Sequence, residues 1–249
     1  VIIYNLFIIY SIIVNHIKVV DLKPTKKNFI NKNKKFSATG YYKNTKVKIY
    51  EVFDQNQGKL RTFISNNKNL SSYFPKLIGF DKKYIIEEWV DGKTLNEINA
   101  KNLEKKSQSK EVKKIIKLLW DAKYDMKVFD YIEHIHKRVN KKNIFDLSNI
   151  PNRINHNDLS YDNIIMTSEG IKIIDNEFLG CNSGWILNVR NSFLEKDFEY
   201  QRFISENILD NLWDIRKEWS KSTKKNKFNN IYNLYKIFKK IFVGERKNY

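Results

Sequence analysis

The patterning of this sequence changes once, at Asp91-Gly92, and this change limits the folds that are open to the chain. From about Asn28 to Trp89, runs rich in β-branched and aromatic residues alternate with turn signals such as Lys43-Asn44. Beyond this point, apolar residues recur at helical spacing, for example between Lys110 and Ala122. We therefore predict an α+β, bilobal fold. A small antiparallel β lobe with one helix near Lys59–Ile64 precedes a larger, mostly helical lobe.

Residues 1–27 form an apolar segment of uncertain status ahead of these two lobes. The run from Val1 to Ile17 carries no charge and consists mainly of Ile, Val, Phe and Tyr, and its length is near the lower limit for a membrane span. Asn5, Asn15 and His16 interrupt the run. A membrane anchor, a spurious leader and a packed strand or helix all remain open. The two lobes are expected at residues 28–91 and 92–249.

Charge and cysteine content exclude several classes of protein. A net charge of +18 could attract nucleic acid, but Lys, Asn and Ile are abundant throughout, and no compact basic motif with interleaved aromatic residues is present. We therefore do not expect nucleic-acid binding. The single cysteine, Cys181, excludes a disulfide scaffold and indicates a reducing, cytoplasmic location. A helix predicted at Asn229–Phe242 has an apolar face, which leaves open an association with the inner membrane surface.

A polar loop followed by an apolar strand carries the groups with the clearest chemistry. Asp158 and Asn163 lie five residues apart on the loop, and Asp175 ends the strand that begins at Gly170. In-line phosphoryl transfer needs a carboxylate that orients the attacking hydroxyl, together with oxygen ligands for magnesium. Asp158 suits the first role, and Asn163 and Asp175 suit the second. The alternative is that Asp158 and Asp162 are ordinary turn or helix-cap acids.

Three further positions have a functional and a structural interpretation. His156 is expected to be a structural histidine that bonds the backbone beneath the loop, because Asp158 already fills the role of a base. Lys48 lies on a predicted strand, where it could pair with nucleotide phosphates or be an ordinary solvated lysine. Glu88 and Val90 lie where a strand leaves the β region, and their backbone groups could contact an adenine edge. An ordinary crossover strand is the alternative there.

These residues resemble the choline/ethanolamine kinases and the related aminoglycoside phosphotransferases, a group with a protein-kinase-like fold. His156-Asn-Asp158-Leu with Asn163 resembles the catalytic loop of that family, and Ile174-Asp175-Asn-Glu177 resembles its metal-binding Ile-Asp-Phe-Glu motif. The segment Val47-Lys48-Ile-Tyr resembles the strand that carries the phosphate-contacting Lys or Arg. Further along, the spacing of the family is matched at Asn182, Asn191, Phe193 and Glu195.

The resemblance implies an ATP- and Mg2+-dependent kinase of a small hydroxylated molecule. By this resemblance, Asp158 is the base, Asn163 and Asp175 hold magnesium, and Lys48 contacts the phosphates. The backbone of Glu88 and Val90 would contact adenine. Choline or ethanolamine is the implied acceptor. The region expected on the acceptor side contains Trp185, Trp213, Trp219, Tyr200 and Phe203, and for each of these residues core packing is the preferred interpretation. An amino sugar, an aminoglycoside or a cell-envelope saccharide is the alternative.

Three departures from the family pattern favour another alternative, a catalytically weak, kinase-like binding protein. Asn188 occupies the position of an Asp that braces the catalytic loop. No acidic residue lies between Gln55 and Phe74, where a helix Glu would pair with Lys48. The turn expected to cover the nucleotide contains only Gly40.

Overall fold

The computed structural model describes residues 11–25, 35–98, 102–134 and 150–187. The chain divides into two compact units. The first contains Val1–Lys93 and Ile165–Glu177, and the second contains Thr94–Ile164 and Phe178–Tyr249. The helices predicted beyond residue 187, Asn188, and the aromatic residues expected around the acceptor from Tyr200 onward lie outside the described residues.

The first unit is built on a six-stranded antiparallel sheet, as predicted for the β region. The strands are β1 (Ser11–Val14), β2 (Ile17–Pro24), β3 (Ser37–Tyr42), β4 (Thr45–Glu51), β5 (Leu77–Phe80) and β6 (Tyr84–Glu88). They pair in the order β1-β2-β3-β4-β6-β5. Alternation along the strands buries one set of side chains, including Val19, Val47, Ile49 and Ile86. The neighbouring position Lys48 is thereby turned to the other face of the sheet.

The hairpin of β1 and β2 accounts for part of the apolar N-terminal run. Asn15 and His16 form its turn with φ of 43° and 68°, the left-handed region that Asn and His tolerate better than most residues. The side chain of Asn15 donates to the carbonyl of Phe80 on the opposite edge strand, so the sheet curls. Residues 11–24 therefore form a β-hairpin on the edge of the sheet, with Val14 and Val19 buried. No helix in the described part of the chain is long and apolar enough to cross a membrane.

Helix α1 (Gln57–Asn66) follows β4 and is longer than the predicted helix. The side chain of Gln57 accepts hydrogen bonds from the N–H groups of Phe53 and Asp54, which stabilises the chain entering the helix. Gly58 lies against Phe80, and a Cβ atom at this position would approach the ring to 2.1 Å. Leu60 and Ile64 are fully buried. The helix therefore packs closely on the sheet through a face that has little room for change.

The sequence break at Asp91-Gly92 coincides with the end of the large sheet. Gly92 has φ of 149°, and a Cβ atom there would meet Ile165 and the carbonyl of Met166 at 2.5 Å. The short strand β7 (Lys93–Thr94) follows and lies beside β9 (Ile164–Thr167), which pairs with β10 (Gly170–Ile173). The strand predicted from Gly170 to Asp175 corresponds to β10, which ends two residues earlier, at Ile173.

The second unit contains the long helix α2 (Asn102–Asp121) and a two-stranded sheet of β8 (Arg153–Asn155) and β11 (Gly180–Asn182). Helix α2 buries Val112, Ile115 and Leu119, the apolar positions that predicted it. It begins earlier than the predicted Lys110, because the polar sequence before that residue carries no apolar spacing. Apolar residues on one side of Phe129–Val139 also predict a helix there. Residues 131–134 are helical, and the rest of this range beyond residue 134 lies outside the described residues.

Candidate functional site

Lys48 of β4 lies between two carboxylates from the segment that follows β10. Its ammonium group donates to Asp175 Oδ1 and lies 3.7 Å from Glu177 Oε1. The Lys48 and Asp175 side chains are 15% and 20% exposed, so water screens this cluster only in part. Burial lowers the pKa of Lys48, but the carboxylates of Asp175 and Glu177 outweigh it and raise the pKa above its ordinary value. Lys48 is therefore a charged member of an ion-pair cluster.

The backbone of the acidic segment is held in an unusual conformation. Asp175 has φ of 64°, a left-handed value that is uncommon outside glycine and often occurs at functional sites. The side chain of Gln57 in α1 donates to the carbonyl of Glu177 at 2.9 Å. Asn176, which is 1% exposed, donates to both carboxylate oxygens of Glu87 at 3.3 and 3.2 Å. Contacts from a helix and from a strand thus position this segment.

A second ion pair, between Arg61 and Glu87, lies in the interior of the first unit. Arg61 of α1 is fully buried, and its Nε lies 2.5 Å from Glu87 Oε1 of β6. Its Nη2 donates to the carbonyl of Pro75 at 2.9 Å, and the hydroxyl of Tyr50 donates to Glu87 at 3.0 Å. Burial lowers the pKa of Arg61, but Glu87 outweighs it and raises that pKa. Arg61 therefore keeps its charge beside Glu87.

The contacts of Lys48 show how the site is built without the acidic residue that was expected on α1. Helix α1 supplies no carboxylate to Lys48, in agreement with the sequence. The carboxylates next to Lys48 come instead from Asp175 and Glu177. The roles of Arg61, Glu87 and Asn176 were not predicted from the sequence. Two signals could have indicated them: Arg61 is a cation within the apolar stripe of α1, and Asn176 is an amide where the motif of the resembled family has Phe.

The polar loop in the second unit brings Asp158 and Asn163 together, as predicted. The Asn163 side-chain amide donates to the carbonyl of Asp158 at 2.7 Å and lies 3.5 Å from its carboxylate Oδ2. His156 is 1% exposed, and its Nδ1 accepts the backbone N–H of Asp158 at 3.3 Å. The prediction of a structural histidine beneath the loop is confirmed.

Asn157 anchors the same loop to the turn that precedes β11. It has φ of 62°, and its amide donates to the carbonyl of Phe178 at 2.8 Å. The amide of Asn155 donates in turn to the side chain of Asn157 at 2.6 Å. Both asparagines are buried, so these bonds satisfy polar groups that water cannot reach. The loop therefore presents Asp158 from a backbone that is fixed on both sides.

The predicted adenine-contacting residues lie at the end of β6. The N–H of Glu88 bonds the carbonyl of Lys76 at 2.9 Å, and the N–H of Trp89 bonds that of Lys46 at 2.9 Å. Among the described residues, no backbone carbonyl in a turn or loop accepts a hydrogen bond from the N–H of Val90. The ring of Trp89 lies 4.2 Å from Lys46 Nζ, a cation–π contact that orients the indole beside this segment.

The described residues include no group of three or more His, Cys, Asp and Glu that could hold a metal ion. The carboxylates of Asp175 and Glu177 nevertheless suit magnesium, which prefers oxygen ligands and takes few of them from protein. In the first unit, the carboxylates of Asp175 and Glu177 contact the ammonium group of Lys48, and that of Glu87 contacts the guanidinium group of Arg61.

No protein-family model and no curated protein matches the chain. Solved structures do match. ADP-bound aminoglycoside phosphotransferase APH(2'')-Ib has a TM-score of 0.50 at 14% identity, over 90% of this chain and 95% of that one. The streptomycin-ATP-APH(2'')-IIa ternary complex gives 0.51 at 14% identity, over 88% and 94%. Choline kinase LicA from Streptococcus pneumoniae gives 0.48 at 15%, over 91% and 94%. The chain thus has the fold of the aminoglycoside phosphotransferases, which confirms at the level of fold the group that its motifs resemble.

Proposed function

We propose that this protein is an ATP- and Mg2+-dependent phosphotransferase that moves the γ-phosphate to a hydroxyl of a small molecule. The observation that carries the proposal is the cluster of Lys48, Asp175 and Glu177, a cation and two carboxylates on a fold shared with small-molecule kinases. A buried lysine that forms ion pairs keeps its charge, as a phosphate-contacting group must.

In the first unit, Lys48 would contact the nucleotide phosphates. The backbone of Glu88 and Val90 would contact the adenine edge, and the N–H of Val90 supports this role. The fold neighbour APH(2'')-Ib is ADP-bound, and APH(2'')-IIa is found with ATP and streptomycin. We extend nucleotide binding to this chain on the strength of the shared fold and these local contacts.

In the second unit, Asp158 would act as the base that orients the acceptor hydroxyl and takes its proton. The hydrogen bond from Asn163 to the Asp158 carbonyl supports this, because it fixes the loop without neutralising the carboxylate. Asn163 and Asp175 would be the magnesium ligands. Magnesium, when bound, would neutralise charge on the phosphate oxygens.

The acceptor is choline or ethanolamine by resemblance, and the alternative is an amino sugar, an aminoglycoside or a cell-envelope saccharide. A catalytically weak, kinase-like binding protein is the second candidate, favoured by the absence of an acid on α1. The same proposal includes a bilobal division of the chain at residue 91. It also includes a cytoplasmic location, with the inner membrane surface as the alternative.

The test is an ATP-consumption screen over choline, ethanolamine, amino sugars and aminoglycosides. We expect one acceptor class to stimulate turnover and Asp158→Ala to abolish it while the fold remains intact. Asp162→Ala is the matched control, because this acid of the same loop bonds Asn96 at 2.8 Å and has no assigned role in catalysis. Full turnover by Asp158→Ala would refute the assignment of the base. Magnesium-dependent ATP binding without turnover on any acceptor would support the binding protein.

A further inference from the structure

We infer that Glu87 is a positioning residue, which holds Asn176 and through it the acidic segment that surrounds Lys48. This inference rests on the proposed function, since it concerns how the magnesium and phosphate site is kept in place. We infer that the Arg61–Glu87 pair replaces the acidic residue that α1 lacks. Helix α1 is then connected to the acidic segment at residues 175–177 and not to Lys48.

Glu87 is a junction of three chain segments. Its carboxylate, 1% exposed, accepts from Tyr50 of β4 at 3.0 Å and from Arg61 of α1 at 2.5 Å. It also accepts from Asn176 at 3.3 and 3.2 Å. A carboxylate offers about four lone-pair positions, so these donors occupy nearly all of its capacity. The location of Asn176 is thereby tied to a helix and two strands.

Stability alone does not explain this arrangement. Buried ion pairs can often be replaced by apolar residues of similar volume without loss of stability. Asn176 also leaves its Oδ1 buried without a hydrogen-bond partner among the described residues, which is an unfavourable arrangement for an amide. An apolar residue would avoid this penalty. The amide is explained if its Nδ2 has to be held by Glu87.

The position of Asn176 in the chain connects this anchor to the site. Its two neighbours are Asp175, in the left-handed conformation, and Glu177, and both carboxylates lie against Lys48. A rotation of the backbone at Asn176 would therefore move both of them. Gln57 of α1 adds a second tether through the carbonyl of Glu177. The two tethers fix the directions in which the two carboxylates point.

Two variants test the inference without leaving a buried charge unpaired. Asn176→Ala removes the tether and keeps the Arg61–Glu87 pair. The double variant Arg61→Met with Glu87→Leu removes the pair and keeps Asn176. Both should remain folded and should bind ADP without metal as the wild type does. We expect the gain in ATP affinity on adding Mg2+ to fall about tenfold in each, the equivalent of one hydrogen bond at about 1.4 kcal/mol.

A double-mutant cycle separates positioning from independent effects. If Asn176 acts through Glu87, a variant that combines all three substitutions should lose no more of the magnesium-dependent gain in ATP affinity than Asn176→Ala or the double variant loses separately. Amide hydrogen exchange of residues 174–178, measured without ligand, should be about tenfold faster in both variants. Glu51→Gln is the control, because this carboxylate of β4 bonds Lys35 and the N–H of Phe36 and does not touch the acidic segment.

The inference would be overturned if the two variants lost the magnesium-dependent gain in ATP affinity additively. It would also be overturned if either variant kept both this gain and the hydrogen exchange of residues 174–178 unchanged. If the wild type bound no nucleotide at all, the proposed function would fail. The hydrogen-exchange measurement would then still decide whether Glu87 positions residues 174–178.

Discussion

Replacing Lys48 by methionine removes a cation from between two carboxylates while nearly preserving the volume of the side chain. In the native cluster the Lys48 ammonium group donates to Asp175 and lies 3.7 Å from Glu177. The variant would leave these two carboxylates in a partly buried site without the ammonium group of Lys48. We expect the folded state to lose stability and the site to bind a divalent cation more tightly.

The expected loss of stability is large enough to measure. At 3.7 Å and an effective dielectric constant of about 20, the attraction between Lys48 and Glu177 is about 4–5 kcal/mol. Ordering the lysine side chain costs up to about 2 kcal/mol, and its desolvation offsets a further part. The contact with Asp175 adds a favourable contribution. We therefore expect Lys48→Met to lower the free energy of unfolding by about 2–4 kcal/mol in the absence of metal.

Magnesium should restore the stability of this variant. A ligand at a hundredfold excess over its dissociation constant stabilises the folded state by about 2.7 kcal/mol. With magnesium bound at Asp175 as proposed, the metal would take the place of the ammonium group in Lys48→Met, whereas in the wild type the two cations would compete for Asp175. Magnesium should therefore stabilise the variant more than the wild type, although ATP should bind the variant more weakly because the proposed phosphate contact of Lys48 is gone.

Chemical unfolding with chelator and with excess Mg2+ measures both effects. Lys46→Met is the matched control, since Lys46 lies two residues earlier on the same strand and stacks on Trp89 without entering the carboxylate cluster. It should lose no more than about 1 kcal/mol and show the same response to magnesium as the wild type. Equal stabilisation of the Lys48→Met variant and the wild type by magnesium would refute the reasoning.

Three further measurements follow from the structure. The pKa of Tyr50 is raised well above its ordinary value by burial and by Glu87, so the folded protein retains this proton as the unfolded chain loses it above about pH 10. Tyr50 should therefore make the free energy of unfolding fall above about pH 10, in addition to the fall from about pH 9 that the raised pKa of the buried Cys181 thiol causes. A tyrosine absorbance titration that shows ordinary ionisation of Tyr50 would contradict this. Gly58→Ala should destabilise by about 1–3 kcal/mol in thermal unfolding, because its Cβ would enter the ring of Phe80, although alanine favours helix elsewhere. Asn182→Ala should lower the free energy of unfolding by about 1–3 kcal/mol in denaturant titration, because the fully buried Asn182 amide donates to two carbonyl groups and accepts the N–H of Gly184. A smaller loss would show that water replaces the amide.

The parts of the site that were predictable from sequence are those built from local spacing. Asp158, Asn163 and His156 lie within one loop, so their residue types and intervals were sufficient to place them together. Lys48 was recognised only as a strand lysine with two possible roles. Its pairing with Asp175, 127 residues away, follows from the way the strands meet and not from any local pattern.

The buried network was not predictable because its members are far apart in the chain. Glu87 is 26 residues from Arg61 and 89 from Asn176, and no local pattern brings these three together. The hairpin at residues 11–24 was missed for another reason. A short apolar run without alternation is compatible with a strand, a buried helix or a membrane segment, and only its pairing with β3 decides between them.

The junction at Glu87 also restricts how relatives of this protein can diverge. Losing either member of a buried ion pair costs about 3–5 kcal/mol, which is a large part of the stability of an ordinary domain, whereas losing both costs little. Substitutions at Arg61 and Glu87 are therefore expected to occur together along a lineage. Asn176 would be free to revert to an apolar residue only after Glu87 had gone. In descendants of a common ancestor, these three positions should form a group whose members covary, although they lie on a helix, a strand and a turn.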